Sequence, residues 1–309
     1  MFVYRSFSQK FEGHTVLTIG NFDGVHLGHR ALLARIMATA KQKKLLPAVL
    51  TFEPHPREYF APESAPTRLT TLREKLELIA EEGIALAQVC RFNARFAALS
   101  AEEFIEKILV NGLHVKHLII GDDFRFGAGR QGNFAMLCEA GRQRGFEVES
   151  LDSVNYAGER ASSSAVRAAL ADGRMEHAAS LLGRPYSIDG RVVHGKQIGR
   201  QLGFATANIR IKHDNPPLLG VFAVEVKGVD GRTLNGVANL GFRPSINESP
   251  RPLLEVHLFD LDQDIYGTHL NVRFLHKLRD EIKFPDLDAL KAQIASDVEA
   301  AQRFFQHQH

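Results

Sequence analysis

The sequence predicts two modules of different class: an α/β module over residues 1–184, with a parallel sheet covered by helices on both faces, and over 185–309 a small antiparallel β-barrel with a C-terminal helix. Three observations carry this. In the first half, short apolar runs alternate with helical periodicity, the pattern of right-handed crossovers in a parallel sheet. Beyond Arg184-Pro185 the period changes to two, with glycine-rich turns and no intervening helix. The length of 309 residues suffices for two separate cores.

The elements follow in order. HTVLTIG, from His14, is an apolar run closed by glycine, and the helix after it places Leu32, Ile36 and Ala40 on one face with Leu33 and Met37 beside them. PAVLTF, from Pro47, reads as a second buried strand. Leu72, Leu76 and Ile79 mark a helix that Gly83 closes. LAQVCRF, from Leu86, is a third strand. Ser100 and Glu103 form a capping box ahead of Phe104, Ile105, Ile108 and Leu109, and Gly112 ends that helix. VKHLIIG, from Val115, supplies a fourth strand. Ligands of such sheets bind beyond the carboxyl ends of the strands, where GNFDGVHLGH, TFEPHP and GDDFRFG all fall.

In the second half, Val221 to Val226, a turn at Asp230-Gly231 and Leu234 to Asn239 read as a hairpin. LLEVHLFDL puts Leu254, Val256 and Leu258 on one face and Glu255, His257 and Phe259 on the other. Leu287, Leu290, Ile294, Val298, Ala301 and Phe305 fall on one stripe of a final helix.

Charge narrows the function classes. Lys and Arg number 38 against 36 Asp and Glu, divided 23 to 21 up to Arg184 and 15 to 15 beyond it. Neither half has the basic footprint of a duplex-binding protein, so no nucleic-acid partner is expected. The amino terminus has no apolar run of signal-peptide length and no uncharged stretch approaches a membrane span, so no membrane partner is expected either. Cys90 and Cys138 form no C-x-x-C pair and read as small reduced hydrophobes, which fits a soluble cytoplasmic protein. An oligomer is not indicated.

In TIGNFDGVHLGHR, from Thr18 to Arg30, two histidines flank a glycine where a strand gives way to a helix. Such a junction offers unpaired backbone N–H groups and a positive dipole end, and Gly20, Gly24 and Gly28 let the backbone approach a ligand closely. His26 and His29 can donate hydrogen bonds to a phosphoryl group whose charge rises in the transition state. They can equally be polar residues of a turn, and the motif by itself leaves both readings open.

GNFDGVHLGH resembles the H-x-G-H signature of the nucleotidyltransferase superfamily. TFEPHP, GDDFRFG and SSSAVR, in that order, resemble its flavin adenylyltransferase branch, and GKQIGRQLGFATANI resembles the riboflavin kinase motif ending in P-T-A-N. Over nearly its whole length the chain is similar to the bacterial family of bifunctional riboflavin kinase/FMN adenylyltransferases, or FAD synthetases. The resemblance implies a Rossmann-like nucleotidyltransferase domain at 1–184 and a riboflavin kinase barrel at 185–309. Riboflavin and ATP would give FMN and ADP in the barrel; FMN and a second ATP would give FAD and pyrophosphate in the first domain. Mg²⁺ is the implied cofactor, with ATP a substrate at both sites.

Residue by residue, the resemblance places His26 and His29 against the ATP phosphates, with Asn21, Phe22, Asp23 and Gly28 around the nucleotide. Asp123 falls where many relatives carry asparagine. Ser163, Ser164 and Arg167 fall on the motif S-S-T-x-x-R, with Ser164 for threonine and Ala161 for the usual isoleucine ahead of it. Arg167 suits bidentate phosphate binding; without the family it would be a surface arginine. His55, between Pro54 and Pro56, shapes the flavin side of the site or simply a rigid turn. In the barrel, Glu255 would be the base, Thr206 and Asn208 the oxygen ligands of Mg²⁺ and ATP, and Gly195, Lys196 and Gly199 part of a loop over the nucleotide. Ala205 stands where relatives have proline. On alternation alone Glu255 faces solvent, and His257 reads as a barrel-surface residue rather than a second base. Arg273 and Arg279 flank a region that in the family touches nucleotide or flavin. Two other readings are an adenylyltransferase with a decayed kinase module and a flavin-binding protein without turnover.

Overall fold

Strands β1 (Phe2–Tyr4), β2 (Thr15–Ile19), β3 (Leu46–Glu53), β4 (Leu86–Arg91), β5 (Val115–Gly121) and β6 (Glu147–Leu151) pair in parallel, in the order β1-β4-β3-β2-β5-β6. The computed structural model describes residues 1–7, 11–152, 154–156, 158–194, 204–243 and 251–307. It divides into two units, one of residues 1–66 and 72–162 and one of residues 67–71 and 163–309.

In the first unit the central strands are apolar on both faces because both are covered. Leu17, Leu50, Leu118 and Ile120 face a core that includes Phe104, Ile108 and Leu109, while Val16, Val49 and Ile119 face another built on Leu33 and Ile36. The helices are α1 (Leu27–Lys43), α2 (Pro56–Phe60), α3 (Leu72–Glu81), α4 (Ala94–Ala97), α5 (Ala101–Phe104) and α6 (Phe134–Arg144). The Ser100–Glu103 capping box forms as expected. The single helix expected behind it does not persist: α5 gives way to a π-helical turn at Ile105–Val110. Three apolar residues of that turn, Ile105, Ile108 and Leu109, are buried, so packing holds the wider turn that propensity alone does not predict. β1, β6 and α6 carry no clear sequence pattern of their own. A short antiparallel pair, β7 (Asn155–Tyr156) with β8 (Glu159–Arg160), closes the unit.

The second unit opens with α7 (Ser163–Ala171) and α8 (Met175–Leu182). Strands β9 (Tyr186–Val193), β10 (Ala207–Ile211), β11 (Gly220–Val229), β12 (Arg232–Arg243), β13 (Arg251–Leu258) and β14 (His269–Arg279) close a barrel in the order β10-β13-β12-β11-β14-β9. Leu254, Val256 and Leu258 are buried as their alternation requires, leaving Glu255 and His257 on the outer face. Alternation fails in β11, where Val221 through Val224 are all buried. The final helix, α9 (Leu287–Gln306), explains this: Ala301, Val298 and Phe305 pack on Val221, Ala223 and Val237 outside the barrel. Leu287, expected on the same stripe, is 61% exposed because the helix begins beyond that cluster.

One ion pair ties α9 to the barrel. Arg279 Nε and Nη2 donate to the two Asp297 oxygens at 2.9 and 2.7 Å, and Asp297 is buried. Removing Asp297 takes from Arg279 its carboxylate partner and leaves, of its side-chain hydrogen bonds among the described residues, only the one from Nη1 to the Asp280 carbonyl, which costs about 3 kcal/mol. Asp297→Ala should therefore lower the Tm of this unit by roughly 6–12 °C in scanning calorimetry. A shift under about 2 °C would mean that water reaches Arg279 in the variant.

Candidate active sites

The order of the sheet creates a switch point between β2 and β5, from which the chain builds outward in opposite directions. The loops after both strands line a cavity of about 870 Å³ there. On one side it is lined by Asn21, Phe22, His26, Gly28 and His29, and on the other by Asp122, Asp123 and Arg125. The β2–α1 loop is tightly wound. Phe22, Gly24 and Val25 all have positive φ, and Phe22 and Val25 are buried, so core packing pins a strained backbone at this position. A Cβ on Gly28 would lie 3.1 Å from both the Ala161 carbonyl and His26 Cε1, which accounts for glycine between the histidines. His26 is the N-cap of α1 and makes no side-chain cap bond, and the helix has no acidic residue in its first turn. Its positive end lines the cavity through His26, Gly28 and His29, where it favours an anion.

The imidazoles of His26 and His29 stack at 3.7 Å, and Phe22 packs on His29 at 5.1 Å. Burial, then His26, then the buried Lys75 of α3 push the His29 pKa well below its usual 6.5. His29 is therefore neutral at pH 7 and supplies a hydrogen-bonding group rather than a charge. As the pH falls below 6.5, the unfolded chain takes up a proton here that the folded chain refuses, so stability declines from 6.5 toward the folded value. His29→Phe should flatten that part of a Tm profile measured from about pH 7 to 5. An unchanged slope would mean that His29 takes up its proton in the folded chain as readily as in the unfolded one.

His55 is the N-cap of α2: its Nδ1 accepts from Arg57 N at 3.1 Å, and its own N–H donates to Glu58. The accepted bond puts the neutral ring's proton on Nε2. The rigid turn predicted around His55 is thus real, and its ring also lines the cavity. Asp123 lines the cavity and accepts from Arg160 at 2.9 Å; Asp23 is buried. Ser163, Ser164 and Arg167 lie on α7 in the second unit, where Arg167 Nε donates to the Thr67 carbonyl at 2.5 Å. Sequence reading missed the cavity's aromatic wall: Phe52, Phe60, Phe92 and Phe96 all line it, the last pair 5.6 Å apart. It also missed Lys75, whose only signal was a cation on an apolar helix face.

In the barrel, strand register assembles the second constellation. Asn208 on β10 is paired with Glu255 on β13, and Glu255 with Asn239 on β12. Asn208 is buried and its Oδ1 has no hydrogen-bond partner among the described residues. Such an oxygen suits a hard cation like Mg²⁺, which takes few protein ligands and completes its shell with water and phosphate. Thr206 precedes β10, and the His257 Nδ1–H donates to the carbonyl of Ala205 at 2.8 Å. His257, a surface residue as expected, thus ties down the backbone ahead of Thr206, where proline would otherwise stiffen it. Arg279 is committed to Asp297, and Arg273 lies 3.9 Å from Glu225. Gly195, Lys196 and Gly199 lie outside the described residues.

Residues 8–165 match the FAD synthetase family and residues 182–305 the riboflavin kinase family. The chain is 50% identical over 301 residues to the bifunctional riboflavin kinase/FMN adenylyltransferase of Escherichia coli K12, covering 97% of this chain and 96% of that one. It is 52% identical over 289 residues to the protein of the same description from Haemophilus influenzae, covering 94% of each. A solved structure described as a macrolide-efflux protein from Streptococcus pneumoniae superposes with a TM-score of 0.82, at 27% identity, over 97% of this chain and 98% of that one. No helix among the described residues is long and apolar enough to cross a membrane.

Proposed function

This chain belongs to the family of bifunctional riboflavin kinase/FMN adenylyltransferases, and we propose that it divides the two reactions between residues 1–184 and 185–309. It is a transferase of FAD biosynthesis. The observation that carries the division is that one chain holds two unlike constellations suited to phosphate, a helix N-terminus with stacked histidines at a sheet switch point and a carboxylate, Glu255, flanked by Asn208 and Asn239 on a barrel.

In the kinase reaction, Glu255 takes the proton of the terminal riboflavin hydroxyl as its oxygen attacks the γ-phosphorus of ATP and the bond to ADP breaks. Asn208 and Thr206 would hold Mg²⁺, which neutralises the transferring phosphoryl group. The products are FMN and ADP. In the second reaction an FMN phosphate oxygen attacks the α-phosphorus of ATP, and pyrophosphate leaves. The nucleophile is already an anion, so the protein's work is alignment and relief of repulsion. His26, His29 and the α1 N-terminus face the ATP phosphates, Asn21 to Asp23 hold the nucleotide, and the phenylalanine wall beside His55 takes the planar flavin. The S-S-T-x-x-R motif assigns phosphate binding to Ser163, Ser164 and Arg167, and Asp123 with its partner Arg160 borders the nucleotide. Gly195, Lys196 and Gly199, outside the described residues, are assigned to the kinase nucleotide by the family resemblance alone. Free Cys90 and Cys138 agree with a reducing, cytoplasmic setting.

Incubating the protein with riboflavin, ATP and Mg²⁺, then separating flavins by chromatography, should show FMN followed by FAD. If neither forms, the proposal fails.

A further inference from the structure

The kinase row has a third member. Asn239 lies directly across β12–β13 from Glu255, so the two side chains share one face of the barrel a few ångströms apart. Its side chain is hydrogen-bonded to the carboxylate of Glu281, in the segment between β14 and α9. A carboxylate accepts and does not donate, so Asn239 offers its Nδ2–H there, and this fixes which way the amide points. Asn239 Oδ1 is then buried without a hydrogen-bond partner among the described residues.

Glu281 is itself held in place. A Cβ on Gly241, the next residue of β12 on the same face, would fall 1.8 Å from Glu281 Oε1. The carboxylate therefore lies against bare backbone that any larger residue would block. Partial burial raises the pKa of Glu281, a cost that the bond to Asn239 and the nearby Arg279 reduce. A buried acceptor held open by a partly desolvated carboxylate is an expensive arrangement unless a donor arrives to use it.

The substrate carries such a donor. Riboflavin ends in a vicinal diol, the 5′-hydroxyl that is phosphorylated and the 4′-hydroxyl one carbon away. If Glu255 takes the proton of the first, the second falls beside the neighbour of Glu255 on the same face. We propose that Asn239 is a substrate-binding residue of the kinase site that accepts a hydrogen bond from the riboflavin 4′-hydroxyl, and that Glu281 is the positioning residue that orients its amide. This rests on the reading of Glu255 as the base.

The test compares riboflavin with 4′-deoxyriboflavin, both of which retain the 5′-hydroxyl. The unaltered chain should phosphorylate the deoxy substrate about tenfold less efficiently, the cost of one buried unpaired acceptor. Asn239→Ala should lose most of its kcat/KM for riboflavin and treat the two substrates alike. Glu281→Gln, which can present either oxygen or NH₂ to the amide, should reduce the preference, and combining it with Asn239→Ala should cause no further loss. Adenylylation of supplied FMN should be unchanged in every variant, which reports on folding in the same tube. Discrimination that survives in Asn239→Ala, or additive losses in the double variant, would overturn the proposal. Loss of the base reading itself gives a different result: Glu255→Gln would then still phosphorylate riboflavin.

Discussion

Glu255→Gln should stop the formation of FMN from riboflavin while the same protein continues to convert supplied FMN to FAD. The substitution keeps shape and hydrogen-bonding capacity but removes the group that can take a proton, so the expected loss is that of a general base, about 10²- to 10⁴-fold in kcat. Binding of riboflavin should change little, because the amide can still meet a hydroxyl. A solvent-facing glutamate on the outside of a barrel would give a variant indistinguishable from the unaltered chain. Chromatography of two parallel reactions, one started with riboflavin and one with FMN, separates these outcomes. Loss of FAD formation from FMN in a folded variant would contradict independent sites.

The contrast matters because pattern alone makes Glu255 an unremarkable outward residue, and that placement is correct. Leu254, Val256 and Leu258 point inward, and Glu255 points out. What alternation cannot convey is what stands beside an outward residue on the neighbouring strands. Asn208 and Asn239 are 47 and 16 positions away in the sequence, and only the closed barrel order β10-β13-β12 brings them to either side of Glu255. The family motif ending at Asn208 made that residue legible. Asn239 belongs to no motif used in reading the sequence, and Glu281 lies in an irregular segment, so both emerged from register and packing.

The first module was legible for the opposite reason. Parallel strands buried on both faces are continuous apolar runs, and β2, β3, β4 and β5 each stand out as one. β1 and β6 sit at the sheet edges, are more exposed, and leave a weaker pattern. The cavity's glycines and histidines were readable because backbone geometry demands specific residue types there. Its phenylalanine wall was not, since an aromatic facing a ligand and one facing a core look alike in sequence. Phe146 and Phe92 illustrate the point: Phe146, just ahead of β6, is buried in the core, whereas Phe92 follows β4 and lines the cavity in contact with Phe52 and Phe96.

His29→Ala should have the converse effect to Glu255→Gln: riboflavin is still phosphorylated, FMN accumulates, and FAD formation falls about 10²- to 10³-fold, as for removal of one preorganised donor to a developing charge. Burial, the stacked His26 and Lys75 all hold His29 neutral, so its contribution is a fixed N–H and not a positive charge. Two consequences distinguish this from a simple counter-ion. First, His29→Asn, a neutral donor, should recover part of the activity lost in the alanine variant, because an amide N–H can replace an imidazole N–H. Second, a ring that stays neutral gains no proton when ATP binds, so proton uptake on binding at pH 7 should be the same in the unaltered chain and in His29→Ala. Calorimetric titration of ATP in buffers of different ionisation enthalpy measures that uptake directly. FAD formation unchanged in the alanine variant would leave the histidine pair as the polar turn that the bare motif also allows, and proton uptake that disappears in that variant would make His29 a counter-ion instead.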